Sequence, residues 1–85
     1  MKNTRKIVSI PPGITHKLVN KYPSLTPVEL KVSALVALNL SSREIAGITG
    51  RSIRTIEYTR NNIRKKMECN SEESLINHIL LTIND

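Results

Sequence analysis

Residues 51 to 66, RSIRTIEYTRNNIRKK, decide the fold; they hold six of the thirteen basic residues of the chain and a single acid. They follow a segment with the pattern of a short helix, and Gly50 suits a tight turn between the two. Ser52 is well placed to cap the second helix. This order of segments along the chain predicts a short helix, a turn of three or four residues and a longer basic helix, which together form a helix-turn-helix motif.

Length and composition limit the classes of protein that are possible. With 85 residues and only two aromatic side chains, Tyr22 and Tyr58, the chain predicts one domain with a small aliphatic core. The net charge of +6 is uneven: residues 1–24 carry five bases and no acid, residues 51–66 sum to +5 and residues 67–85 sum to −4. An anionic partner that faces the basic helix is therefore predicted.

Several kinds of site are disfavoured by the residues available. Cys69 is the only cysteine and lies far in sequence from His16 and His78, so neither a disulfide nor a metal site is expected. The sequence has no Ser/His/Asp or Cys/His arrangement and no glycine-rich phosphate loop, so no enzymatic activity and no cofactor are expected. It has no signal peptide and no apolar run of about 20 residues, which predicts a cytoplasmic location and no membrane contact.

Helix starts are marked by capping residues. Residues 26–29, 41–44 and 70–73 each place Thr, Ser or Asn three positions before Glu, the pattern of a capping box. Asn39 suits a left-handed stop for the helix that starts near residue 26. A further short helix, capped by Thr15, is predicted in the lead segment. An all-α fold follows.

The helix that begins at residue 27 is apolar on two sides. The stripe predicted to face the core consists of Val28, Val32, Leu35 and Val36. The opposite stripe consists of Leu30, Ala34, Ala37 and Leu38. Such a helix must be covered twice, and the lead segment is the expected cover; tolerated surface aliphatic residues are the alternative.

The basic helix, expected at about residues 52–67, has two different faces. Its apolar face carries Ile53, Ile56, Ile63 and Met67. Its other face carries Arg54, Glu57, Tyr58, Asn61 and Lys65, with Arg60, Arg64 and Lys66 along the flanks. A solvated charged face is the plain interpretation. However, a tyrosine and an amide among cations, on a helix that follows a tight turn, favour the major groove of double-stranded DNA.

A longer pattern carries a family resemblance. LTPVELKVSALVALNLSSREIA at residues 25–46 is followed by S-x-x-T-I at residues 52–56 and I-x-x-K-M at residues 63–67. This pattern resembles the LuxR-type (GerE) DNA-binding domain. The resemblance implies a four-helix helix-turn-helix bundle, here with a short additional N-terminal helix, and sequence-specific DNA binding that regulates transcription. We therefore expect a basic lead segment at residues 1–24 and the DNA-binding domain at residues 25–85.

The resemblance also implies roles for individual residues. The base-reading positions fall on Glu57, Tyr58 and Asn61; Asn61 would pair with adenine, and Glu57 would accept from a cytosine amine. The predicted phosphate-binding residues are Ser42, Arg43, Arg54, Thr55, Arg60, Arg64, Lys65 and Lys66.

The sequence departs from the family pattern at two core positions. Thr49 stands where family members usually have leucine, and Arg51 stands where they usually have isoleucine. We expect Ile48 and Ile53 to compensate for the lost apolar contacts. In addition, the acid Glu57 occupies a position where lysine is frequent, which predicts weaker general affinity for DNA and stricter sequence choice.

The apolar pattern of the last helix predicts a homodimer. Leu75 and Ile79 are expected to face the core, whereas Ile76, Leu80 and Ile83 lie further round the helix. LuxR-type domains pair here, so a weak homodimer through these three residues is expected; the alternative is that they cover the end of the bundle.

Two questions of function stay open. A protein-protein interaction adaptor built on the same fold is the alternative to DNA binding. Family members usually carry a sensory or receiver domain ahead of this unit, so the chain is either a stand-alone protein or part of a longer one.

Overall fold

The computed structural model describes residues 10–84, and within that range the chain forms five helices and no strand. The helices are α1 (Pro12–Lys21), α2 (Pro27–Ala37), α3 (Ser42–Thr49), α4 (Ile53–Met67) and α5 (Glu72–Ile83). This architecture confirms the predicted all-α fold, with four helices preceded by a short additional one. The first nine residues of the predicted basic lead segment, with three of its five bases, lie outside the described residues.

Capping residues begin the two helices whose starts were most clearly marked. At α2 the Thr26 hydroxyl accepts from the Glu29 N–H at 3.1 Å, and the Glu29 carboxylate accepts from the Thr26 N–H at 2.9 Å. Ser41 and Glu44 form the same reciprocal pair at α3, with the same two distances. Past the end of α2, Asn39 adopts a φ of 65°, which confirms the predicted left-handed stop.

Two predicted helix starts were wrong. α1 begins at Pro12 and not after Thr15, because proline suits the first helical position; the Thr15 hydroxyl donates back to the Pro12 carbonyl at 3.1 Å. At α5 the cap is Ser71 and not Asn70, and its hydroxyl accepts from the Ser74 N–H at 3.1 Å. With the cap moved by one residue, serine occupies the third helical position, so the third capping box does not form.

α2 lies at the centre of the bundle. Five consecutive residues, 32–36, are buried, which requires cover on every side because five residues turn through more than a full helical turn. α1 packs on α2 and α5, so the lead segment does supply part of that cover, with Leu18 fully buried. One residue at the end of each predicted stripe is not covered: Val28 and Leu38 are exposed.

The two departures from the family pattern are accommodated locally. The Thr49 hydroxyl donates to the Ile45 carbonyl at 2.8 Å, so it needs no further polar partner. Ile48 packs partly against the core, as expected, but Ile53 does not: it is the first residue of α4 and is 42% exposed. Arg51 is exposed in the turn. Of the described helices, none has the length and apolarity needed to cross a membrane.

Candidate nucleic-acid interface

A three-residue turn, residues 50–52, joins α3 to α4. Gly50 ends α3 with a φ of 73°, in the left-handed region where a side chain is strained. The N–H groups of Gly50 and Arg51 both donate to the Ala46 carbonyl, which closes the end of α3. Ser52 then caps α4 by accepting from the Thr55 N–H at 3.0 Å. The turn is therefore fixed at both ends, and so is the start of α4.

The inner face of α4 anchors it to the bundle. Ile56 and Ile63 are fully buried and Met67 is almost so, and α4 packs on α2, α3 and α5. Thr59 and Arg60 are buried as well. A helix held along its whole length in this way presents its opposite face as a rigid surface.

The outer face of α4 carries the predicted base-reading residues. Glu57 and Tyr58 are exposed, Tyr58 to 67%, and Asn61 is half-buried one turn further along. Arg54 and Lys65 are exposed on the same face. We call these five residues the outer face of α4: it combines a carboxylate, a phenol and an amide with two cations, which provides donors and acceptors as well as positive charge.

The predicted phosphate-binding residues divide into two groups. The first group is accessible: Arg43, Arg54, Thr55 and Lys65 are exposed, and Ser42 is half-buried. Arg51 is also exposed, in the turn between α3 and α4, and is a further candidate for this group. It was missed because the family pattern places an apolar residue there; its charge and its position in the turn were the available signals.

The second group, Arg60, Arg64 and Lys66, forms ion pairs with carboxylates of neighbouring helices. Arg60 is 7% exposed, and its guanidinium pairs with the Glu72 carboxylate. Arg64 donates to the other Glu72 oxygen at 2.7 Å. These contacts join α4 to α5. A guanidinium that is paired with a carboxylate is less available to a phosphate, so the phosphate contacts of both arginines stay predictions with less support than those of the accessible group.

Lys66 forms the corresponding link from α4 to α2. Its ammonium donates to Glu29 Oε1 at 2.7 Å and to the Ser24 carbonyl at 2.8 Å. Burial raises the pKa of Glu29, but the hydrogen bonds from Lys66 and Thr26 outweigh it and leave that pKa lowered. In the free protein the Lys66 ammonium is thus engaged by Glu29 and Ser24, and its phosphate contact stays a prediction.

Within residues 10–84, no cluster of His, Cys, Asp and Glu could hold a metal ion. Burial raises the pKa of the Cys69 thiol, which disfavours the reactive thiolate.

Comparison with known proteins identifies the domain. Residues 23–79 match the model of a family described as bacterial regulatory proteins, luxR family. The match begins just after α1 and runs through most of α5. No curated protein and no solved structure matches the chain.

Proposed function

The chain belongs to the luxR family of bacterial regulatory proteins, and from this premise we propose that it binds double-stranded DNA sequence-specifically through α4 and so regulates transcription. DNA binding and transcription regulation in general follow from the family. The observation that carries the finer proposal is the outer face of α4, where base-reading groups lie between two cations on a helix anchored by its opposite face.

In the proposed complex α4 lies in the major groove. Its 15 residues extend over roughly 22 Å, enough to cross a groove about 12 Å wide. Glu57, Tyr58 and Asn61 would meet base edges, and Arg54 and Lys65 would meet phosphates on either side. Further phosphate contacts would come from the side chains near the turn: Ser42, Arg43, Arg51 and Thr55.

Salt dependence of DNA binding tests this proposal. With Arg43, Arg51, Arg54 and Lys65 as phosphate partners, log affinity should fall against log salt with a slope of about −3 to −4 per protomer. Arg54→Met should reduce that slope by about 1. Lys31→Met removes the same charge from the exposed surface of α2 and is the matched control; it should leave the slope nearly unchanged. An affinity that does not respond to salt would contradict the proposal.

A weak homodimer through α5 is part of the proposal. Leu80 and Leu81 are 38% and 68% exposed, which favours a contact with another protein surface. Ile76 and Ile83, which were predicted at the same interface, are half-buried and pack against the core, so Leu80 is the predicted residue most available to a partner. The same leucines favour the adaptor alternative, in which α5 would bind a different protein. In that case the chain would show no preference among duplexes.

The controlling signal is proposed to come from outside residues 1–85, for example from a sensory domain in a longer parent chain. A cytoplasmic location is part of the proposal, and a DNA partner supports it.

A further inference from the structure

The side chain of Asn61 is held in one orientation by a neighbour on its own helix. Arg64 Nη2 donates to Asn61 Oδ1 at 3.0 Å, across one turn of α4. A guanidinium carries donors only, so the amide atom that faces it has to be the oxygen. The NH₂ group of Asn61 is consequently the end left for an outside partner.

The orientation of Arg64 is itself fixed from α5. Its Nη1 donates to Glu72 Oε1 at 2.7 Å, and the second oxygen of Glu72 accepts from Arg60, whose side chain is 8% exposed. The guanidinium is planar, so its two nitrogens cannot be reoriented independently. A continuous chain of contacts therefore runs from the first residue of α5 to the outer face of α4.

We propose that Arg64 and Glu72 are positioning residues that determine which base Asn61 reads. In the major groove guanine presents two acceptors, N7 and O6, whereas adenine presents N7 together with the N6 donor. A bidentate pair with adenine needs the amide oxygen as an acceptor, and one of the two lone pairs of that oxygen already accepts from Arg64. The NH₂ group has two donors, which suit the two acceptors of guanine, whereas adenine offers them only N7.

This inference rests on the proposed entry of α4 into the major groove, and it replaces the adenine pairing expected from the sequence. It also gives Glu72 a role in DNA recognition without any contact to DNA. The distinguishing property is base preference at one position, which a merely structural role would not change.

Competition between duplexes tests the inference. A preferred duplex is selected from a randomised pool with the full chain, and the base pair read by Asn61 is the one at which Asn61→Ala loses discrimination. At that base pair the wild-type chain should bind guanine roughly 5- to 150-fold more tightly than adenine, the range of one good bidentate contact. In Arg64→Met the amide is released, and the guanine-to-adenine ratio should fall to about 1 or invert.

Lys65→Met is the matched control, because it removes the same charge from the next residue, which is exposed. It should weaken binding to all duplexes alike and leave the ratio unchanged. Glu72→Gln should lower the ratio while Arg64 is still present, and it provides a second measurement if Arg64→Met does not fold.

The outcomes separate the two proposals. A wild-type chain that selects no duplex refutes the proposed function. Selective binding with a preference for adenine at this position overturns the inference alone. The inference is also overturned if folded Arg64→Met keeps the wild-type guanine-to-adenine ratio, or if Lys65→Met loses as much of that ratio as Arg64→Met does.

Discussion

Replacing Lys66 with methionine tests whether this cation holds the fold or the DNA. Its ammonium bridges Glu29 and the Ser24 carbonyl; the Glu29 side chain is 9% exposed and the Lys66 side chain is 31% exposed. Methionine keeps most of the apolar stem of lysine while it removes the charge and all three donors. The change therefore isolates the polar contacts.

The expected loss of stability follows from the burial of Glu29. Removing one partner of a fully buried ion pair costs about 3 to 5 kcal/mol, because the remaining charge is left uncompensated. Here water reaches the lysine side, and Glu29 keeps its hydrogen bond from the Thr26 N–H, so we expect about 2 to 3 kcal/mol. For a domain of this size that corresponds to a melting temperature lower by roughly 10 to 20 °C.

Thermal unfolding followed by circular dichroism measures this loss, and DNA titrations on the folded protein at low temperature measure binding. Lys66→Met should keep the wild-type slope of log affinity against log salt. Lys65→Met should behave oppositely: its melting temperature should change by less than about 4 °C, while the slope falls by about 1. If Lys66→Met melts like the wild type and loses slope, its ammonium is a phosphate contact and the assignment to the fold is incorrect.

Three other measurements probe the bundle. The pKa of Glu29 is lowered in the folded state, so its ionised carboxylate contributes to the free energy of unfolding above its ordinary pKa. This contribution is lost as pH falls through the folded pKa. Glu29→Gln should therefore flatten the acid dependence of the unfolding free energy in denaturant titrations. Leu18→Ala should lower the free energy of unfolding by about 2 to 5 kcal/mol in the same titrations, and removal of residues 1–24 should lower it further. His16 is exposed on the same helix, and His16→Ala should change that free energy by less than about 0.5 kcal/mol. Leu80→Glu should abolish cooperative operator binding with little change in melting temperature; a variant that unfolds instead would show that Leu80 is needed by the core.

The parts of the fold that depend on local sequence were predictable. The capping boxes at Thr26 and Ser41 involve residues three positions apart, so their chemistry is visible in the sequence. The outer face of α4 follows from helical periodicity alone. By contrast, Asn70 and Ser71 are adjacent and both suit the N-cap position, so the sequence alone does not predict which of them begins α5.

The partners of the flanking cations were not predictable, because they come from distant parts of the chain. Lys66 and Glu29 are 37 residues apart, and Arg60 and Glu72 are 12 residues apart. Residues on the border between the two faces of a helix are exposed or buried according to what packs beside them. In this domain α5 packs beside Arg60 and Arg64, and neither composition nor spacing specifies that contact.

The internal pairing of half the cations of the basic segment has a kinetic consequence. Three of its six cations are paired with Glu29 and Glu72, and two of the other three, Arg54 and Lys65, lie on the outer face of α4 together with the acid Glu57. Attraction to arbitrary DNA depends on the number of phosphates that cations neutralise, so the pairing of these three cations lowers the contribution of α4 to the time spent at a random site. If α4 enters the major groove as proposed, this lowered contribution shortens the stay at random sites more than the stay at an operator, where base contacts add to the affinity.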